Sequence, residues 1–182
     1  MATNNRLSVD DWLQAGFAIV AEEGLNALKV DRLCSRLNVT KGSFYWHFAD
    51  MAAYRRALIE SWAQLKDEDR NEIEQMSDVE PRERLSRMMA SLVRPRQWSL
   101  ERAMREWARS DETVATAVHA ADRRTLKAVR KAFSDFGFEP EDAELRAQAT
   151  FAAGVGLLHL SAPAPKKEAL QRERFLDFLL RP

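Results

Sequence analysis

Apolar residues recur with the period of a helix along most of this chain, and no stretch alternates with the period of a strand. Leu13, Phe17 and Val20, with Trp12, Ala15 and Ile19 alongside, predict a first helix. Ser8 and Asp11 approximate a capping box at its start, and Glu22-Glu23-Gly24 ends it, with Gly24 expected to supply a left-handed cap. Val30, Leu33 and Leu37 give a two-turn helix one buried stripe, Asn38-Val39-Thr40 reads as a turn, and Lys41–Phe48 as a short third helix. Asp50 suits the cap of a long helix running to about Gln75 through Tyr54, Leu58, Ile59, Trp62 and Leu65, whose charge-rich end from Lys66 to Glu74 reads as a solvated face. Pro81 opens the next helix, marked by Leu85, Met88, Met89, Leu92 and Val93 until Pro95 interrupts it. Helical patterns follow over Ser99–Arg109, Glu112–Phe136, Glu141–His159 and Lys167–Leu180, with Gly137 and Pro140 closing one unit and Ser161-Ala162-Pro163-Ala164-Pro165 as a stiff connector. The fold class is all-α: an N-terminal three-helix head over residues 1–50 and a larger helical body over residues 51–182.

The short third helix has an unusual surface. Spacing at 100° per residue places Phe44 and Phe48 inward and Trp46 almost opposite, with Gly42, Ser43 and His47 around it. A helix with two inward Phe that also shows Trp and Tyr45 to water presents a surface that asks for a partner. Thr40 is placed to cap it through its hydroxyl. Lys41, Gly42 and Ser43 then form a small cationic first turn whose free N–H groups and positive dipole end accept phosphate. Asn38 tolerates the left-handed backbone of a sharp reversal, and Val39 fits the corner between the two helices. The arrangement is a helix-turn-helix, and its second helix fits the major groove of DNA.

Charge limits that reading. The whole chain carries 28 basic and 28 acidic side chains, and residues 1–50 hold five Lys or Arg against six Asp or Glu. Affinity for a polyanion therefore depends on a local positive face. Arg6 is placed to reach a phosphate or the minor groove, or to remain a solvated tail residue. The lone Cys34 excludes an internal disulfide and suits a reducing cytoplasm; beside Leu33 and Leu37 it reads as a small apolar residue, with a redox sensor as the alternative. The N-terminus has no apolar signal region and no run approaches the about 18 apolar residues of a membrane span, so a cytoplasmic protein without membrane attachment is expected. Three scattered His (His47, His119 and His159) and one Cys offer no metal-ligand spacing, and neither a phosphate-cradling Gly loop nor a nucleophile with a visible base is present. No enzyme, metal or cofactor is expected.

The stretch Val39-Thr40-Lys41-Gly42-Ser43-Phe44-Tyr45-Trp46-His47-Phe48 resembles the recognition-helix signature of the TetR family of bacterial transcriptional regulators, with Gly24 and the apolar spacing of both helices in register over roughly residues 8–60. The resemblance implies that Lys41 and Ser43 approach base edges and that Tyr45 and His47 contact phosphate. With Lys29, Thr40, Gly42 and Trp46 these make up the expected DNA-binding set. Three positions depart from the family: Asn38 stands where Gly is usual, Lys29 where a capping Thr or Ser is usual, and Met51 where the family often has a phosphate-binding Lys.

The resemblance also implies a homodimer joined through the last two long helices. The residues point the same way: Ala147, Ala149, Ala152, Ala153, Gly154 and Gly156 permit a close helix approach, and the apolar end Phe175–Leu180 needs cover. Packing of both helices into a monomer core is the alternative. One short reading helix covers few base pairs, whereas two about 34 Å apart read successive major grooves of palindromic, double-stranded operator DNA. The family's body domain usually encloses a pocket for a small-molecule effector; Trp62, Met89, Trp98, Met104, Trp107 and Phe151 are the candidate lining, each of them equally a candidate for plain core packing. Arg105, His119 and His159 are possible polar anchors. The expected function is a DNA-binding transcriptional regulator, a dimeric repressor released by an effector. An activator, and a ligand-binding or adaptor protein that no longer binds DNA, are the alternatives.

Overall fold

The structure, a computed structural model, describes residues 7–75, 78–91, 95–160 and 165–181. Arg6, Leu92, Val93 and the connector over 161–164 lie outside the described residues. Nine α-helices are described: α1 Val9–Glu23, α2 Val30–Leu37, α3 Lys41–His47, α4 Met51–Glu74, α5 Pro81–Ser91, α6 Pro95–Ala108, α7 Glu112–Phe136, α8 Pro140–Leu157 and α9 Pro165–Leu179. The described residues contain no strand, and the chain is all-α.

Local chemistry sets most of the helix ends. Ser8 and Asp11 form the full capping box at the start of α1, each side chain bonding the other's backbone N–H. Asp50 accepts from the Ala53 N–H at 2.7 Å at the head of α4, and Asp111 accepts from Thr113 and Val114 at the head of α7. Proline opens α5, α6, α8 and α9, a position where its missing N–H leaves no intrahelical bond unmade. Pro95 thus begins α6; it does not merely interrupt α5, and α6 starts before the expected Ser99.

Two cores hold the chain. One runs without a break from the head into the body: Trp12, Phe17, Ile19, Leu33, Phe44, Tyr54 and Leu58 join Trp62, Met104, Trp107, Val114 and Val118. It is closed by α1 packing on both α4 and α6, and by α4 and α6 packing on α7. The second core gathers Leu85, Met88, Val129, Phe133, Ala143, Ala147, Leu176 and Leu179 from α5, α7, α8 and α9.

Lys66 and Asp67 correct the expectation of a solvated end to α4. Lys66 meets Glu101 of α6 at 3.4 Å and Arg124 of α7 meets Asp67 at 2.8 Å, while Arg105 bridges α6 to α7 through Asp122 at 2.6 Å. Three helices are tied by charge at one level, because long side chains on a charge-rich face reach a neighbouring helix as readily as water.

The run of small residues divides by face. Ala143, Ala147 and Thr150 are buried inside the second core, while Ala149, Ala152 and Gly156 are exposed on one stripe with Leu145 and Leu160. On α9, Leu170 and Phe178 are also exposed, at 55% and 62%.

One contact decides how α4 lies on α1. The buried Tyr54 hydroxyl donates to the Trp12 carbonyl at 2.8 Å, and it can do so only because residue 16 has no side chain: a Cβ there would stand 1.9 Å from the Tyr54 oxygen. Gly16→Ala must push α4 off α1, an overpacking cost of about 1–3 kcal/mol read as a lower denaturation midpoint in urea.

Candidate nucleic-acid interface

The short helix α3 is held from behind by aromatic packing. Phe44 is fully buried and lies edge-on to Trp12 at 5.5 Å, with Phe48 and Tyr54 at 5.4 and 5.6 Å. This cluster fixes the rotation of a seven-residue helix that could not hold itself. The opposite side faces water: Tyr45 is 57% and Trp46 62% exposed. The Phe44 ring meets Tyr45 edge-on at 5.3 Å, and His47, half-buried, sits between Trp46 at 4.5 Å and Trp12 at 6.1 Å.

The turn ahead of α3 is built as its residues dictate. Asn38 takes the left-handed conformation (φ 54°, ψ 48°), and its N–H reaches back toward the Cys34 and Ser35 carbonyls. Val39 packs on the core at the corner and its N–H bonds the Cys34 carbonyl at 3.0 Å. Two caps differ from expectation. Gly24 has positive φ but extended ψ (82°, 171°), a region open in practice only to glycine and distinct from the left-handed helical cap. Thr40 occupies the N-cap position of α3 with extended backbone, but its hydroxyl makes no capping bond; the Ser43 N–H is satisfied by the Thr40 carbonyl at 3.1 Å. Lys29 is likewise an N-cap without a side-chain bond, so the first turns of α2 and α3 both keep backbone donors that no side chain caps.

Lys41, Gly42 and Tyr45 are exposed on α3, with Ser43 half-buried, and Lys29 and Thr40 are exposed at the N-caps of α2 and α3. Charge is arranged within the head. Arg32 holds Glu23 through three bonds of 2.7–3.1 Å, and Arg36 holds Glu22 through two of 2.7 and 2.9 Å, clamping α2 to the end of α1. These guanidinium bonds keep the Glu22 and Glu23 carboxyls below the usual carboxylate range. Lys41 meets Asp31 of α2 at 2.6 Å, and that hydrogen bond raises the ammonium pKa. Nothing in local spacing announces this partner, since it depends on how α2 and α3 cross.

In the body, Trp62, Met104 and Trp107 are buried in the core shared with the head, whereas Met89, Trp98 and Phe151 are half-buried. Arg105 lies over the Phe151 ring at 5.9 Å, and His119 and His159 are exposed. A cleft of about 580 Å³ between α7 and α8 is lined by Arg130, Ser134, Pro140, Glu141 and Glu144, none of them among the six. Among the described residues no cluster of His, Cys, Asp or Glu could hold a metal, and no helix is long and apolar enough to cross a membrane.

The geometry of α2, turn and α3 is that of a helix-turn-helix, and residues 13–58 match the family described as bacterial regulatory proteins, tetR family. The head is therefore similar to that of this family. Solved structures extend the likeness of fold over the whole length. A TetR transcriptional regulator from Legionella pneumophila is 13% identical, with 98% of this chain and 100% of that one covered at a TM-score of 0.79. A transcriptional regulator from Rhodococcus sp. Rha1 is 19% identical over 95% and 94% of the two chains (TM-score 0.75), and one from Aquifex aeolicus VF5 is 19% identical over 94% and 99% (TM-score 0.70). Among curated proteins none matches the chain. The protein therefore has the fold of these solved regulators, with a helix-turn-helix head that matches the tetR family over residues 13–58.

The buried face of α3 carries its own test. Phe44→Ala removes the ring that contacts Trp12, Tyr45, Phe48 and Tyr54, a loss of about 3–5 kcal/mol in chemical denaturation.

Proposed function

We propose that the protein is a dimeric TetR-family repressor that occupies a palindromic, double-stranded operator and is released by a small-molecule effector. The observation that carries the reading is the sidedness of α3: two phenylalanines inward, and an exposed phenol, indole and ammonium outward beside uncapped helix N-termini. Lys41 and Ser43 approach base edges, Tyr45 and His47 take phosphates, Thr40, Gly42 and Trp46 complete the surface, and Lys29 offers a cation at the start of α2. Lys donates to guanine O6 and N7, and the free N–H groups of a first turn suit phosphate oxygens.

The exposed stripe of Leu145, Ala149, Ala152 and Gly156 on α8, with Leu160 just beyond its end and Leu170 and Phe178 on α9, supports a two-fold interface between copies of the chain. Small residues along its middle let two helices approach closely, and a second copy covers the large apolar side chains at its ends. The ties that Lys66 and Asp67 make to α6 and α7 support a route from body to head, since an effector that moves α6 moves α4, and with it α3. Such an effector acts only through its preference between two head spacings, a coupling of about 1–3 kcal/mol. A body that has kept its fold while the head has lost DNA would fail the binding experiment below, whereas activation at the same operator would raise transcription from it where repression lowers it.

Gel-shift titration against duplex from the region upstream of the chain's own coding sequence tests the head. Lys41→Ala weakens binding by about 1–3 kcal/mol and Tyr45→Phe by about 0.5–1.5 kcal/mol; equal affinity in both variants would refute the assigned face. Sedimentation tests the interface. Phe178→Glu places a charge on the exposed stripe and yields a monomer with weaker operator binding, whereas an unchanged sedimentation coefficient rules that stripe out.

A further inference from the structure

Most of the positive charge in the described head is already engaged within the head. Arg32 and Arg36 clamp α2 to α1 through Glu23 and Glu22. The pair between Lys41 and Asp31 is of another kind. Its side chains are 63% and 75% exposed, so it adds little to the stability of the fold. It joins the first turns of α2 and α3, the two helix starts whose backbone donors no side chain caps. A phosphate that approaches Lys41 therefore meets a carboxylate already bonded to the same ammonium.

We propose that Asp31 is a specificity-determining residue of the DNA-binding site, one that holds Lys41 and suppresses attachment of this face to duplex of arbitrary sequence. The inference rests on α3 being the reading helix. Non-specific attachment is driven almost wholly by release of counterions from phosphates, and a cation whose field is cancelled at 2.6 Å releases few. Base readout suffers less. An ammonium has three donors and can keep one on Asp31 while giving another to a base edge, so the carboxylate penalises phosphate attachment more than it penalises the matched base.

Fluorescence anisotropy of the full chain, against a random-sequence duplex and against the upstream duplex, over about 50–200 mM salt, tests this. Asp31→Asn is expected to tighten binding to the random duplex by about threefold to tenfold at the lowest salt, and to steepen the log–log salt slope by about one. The ratio of upstream to random affinity narrows accordingly. Asp31→Ser behaves the same way, and adding Lys41→Ala to Asp31→Asn brings the slope back to that of Lys41→Ala alone. Asp10→Asn, which adds the same net charge on the exposed start of α1, leaves the slope unchanged. Unchanged or weaker binding of Asp31→Asn to the random duplex, or an equal gain from Asp10→Asn, overturns the inference while leaving the reading helix in place. Failure of the unaltered protein to bind either duplex overturns both.

Discussion

The contact between Tyr54 and the backbone of α1 at Trp12 and Gly16 is the constraint on which the head depends. A phenol is stacked on a backbone because one residue lacks a Cβ, and its hydroxyl finds a partner on that same backbone. This fixes α4 against α1 to within the tolerance of a hydrogen bond. Tyr54 also touches Phe44 and Phe48, so the same ring that seats α4 sets the rotation of α3. Which side chains α3 turns outward is thus decided by packing behind it. A helix of two turns has no means to decide that alone.

Electrostatics in the head serves two ends that bulk charge conceals. Residues 1–50 are close to neutral, which by itself speaks against a polyanionic partner. The described pairs explain the neutrality. Two arginines and two glutamates act as fasteners between α1 and α2, and their charges cancel at the joint. What faces outward around the first turns of α2 and α3 is Lys41 with its acidic companion, Lys29, two sets of uncapped backbone donors and a group of aromatic edges. A surface of that composition relies on directed hydrogen bonds and stacking more than on net field, which favours discrimination over sheer attraction.

Features governed by neighbours in sequence were legible in the sequence. The Ser8–Asp11 box, the left-handed Asn38, the inward Phe44 and Phe48 and the outward Tyr45 and Trp46 follow from periods and caps that span a few residues. Features set by how helices cross were not. The Lys41–Asp31 pair, the bridges of Lys66 and Asp67, and the seating of Tyr54 over Gly16 join residues whose separation in the chain says nothing of their separation in space. Thr40 is an intermediate case: its residue type suited a cap, but the backbone carbonyl of the same residue took the donor it would have served. Pro95 suggests a stop because proline ends helices, while the same missing N–H makes it a good beginning.

The continuous core beneath α1, α4, α6 and α7 bears on how such a fold diversifies. Trp12 and Ile19 share their packing with Met104, Trp107 and Val114, far along the chain. A chimera cut at the junction before α4 would bring this head onto a body whose α6 presents foreign shapes to α1, and would leave Tyr54 and Leu58 behind. Recombination that exchanges only heads is thereby handicapped, and under the proposed function a new operator preference is more accessible by substitution on the outer side of α3 than by swapping the module whole.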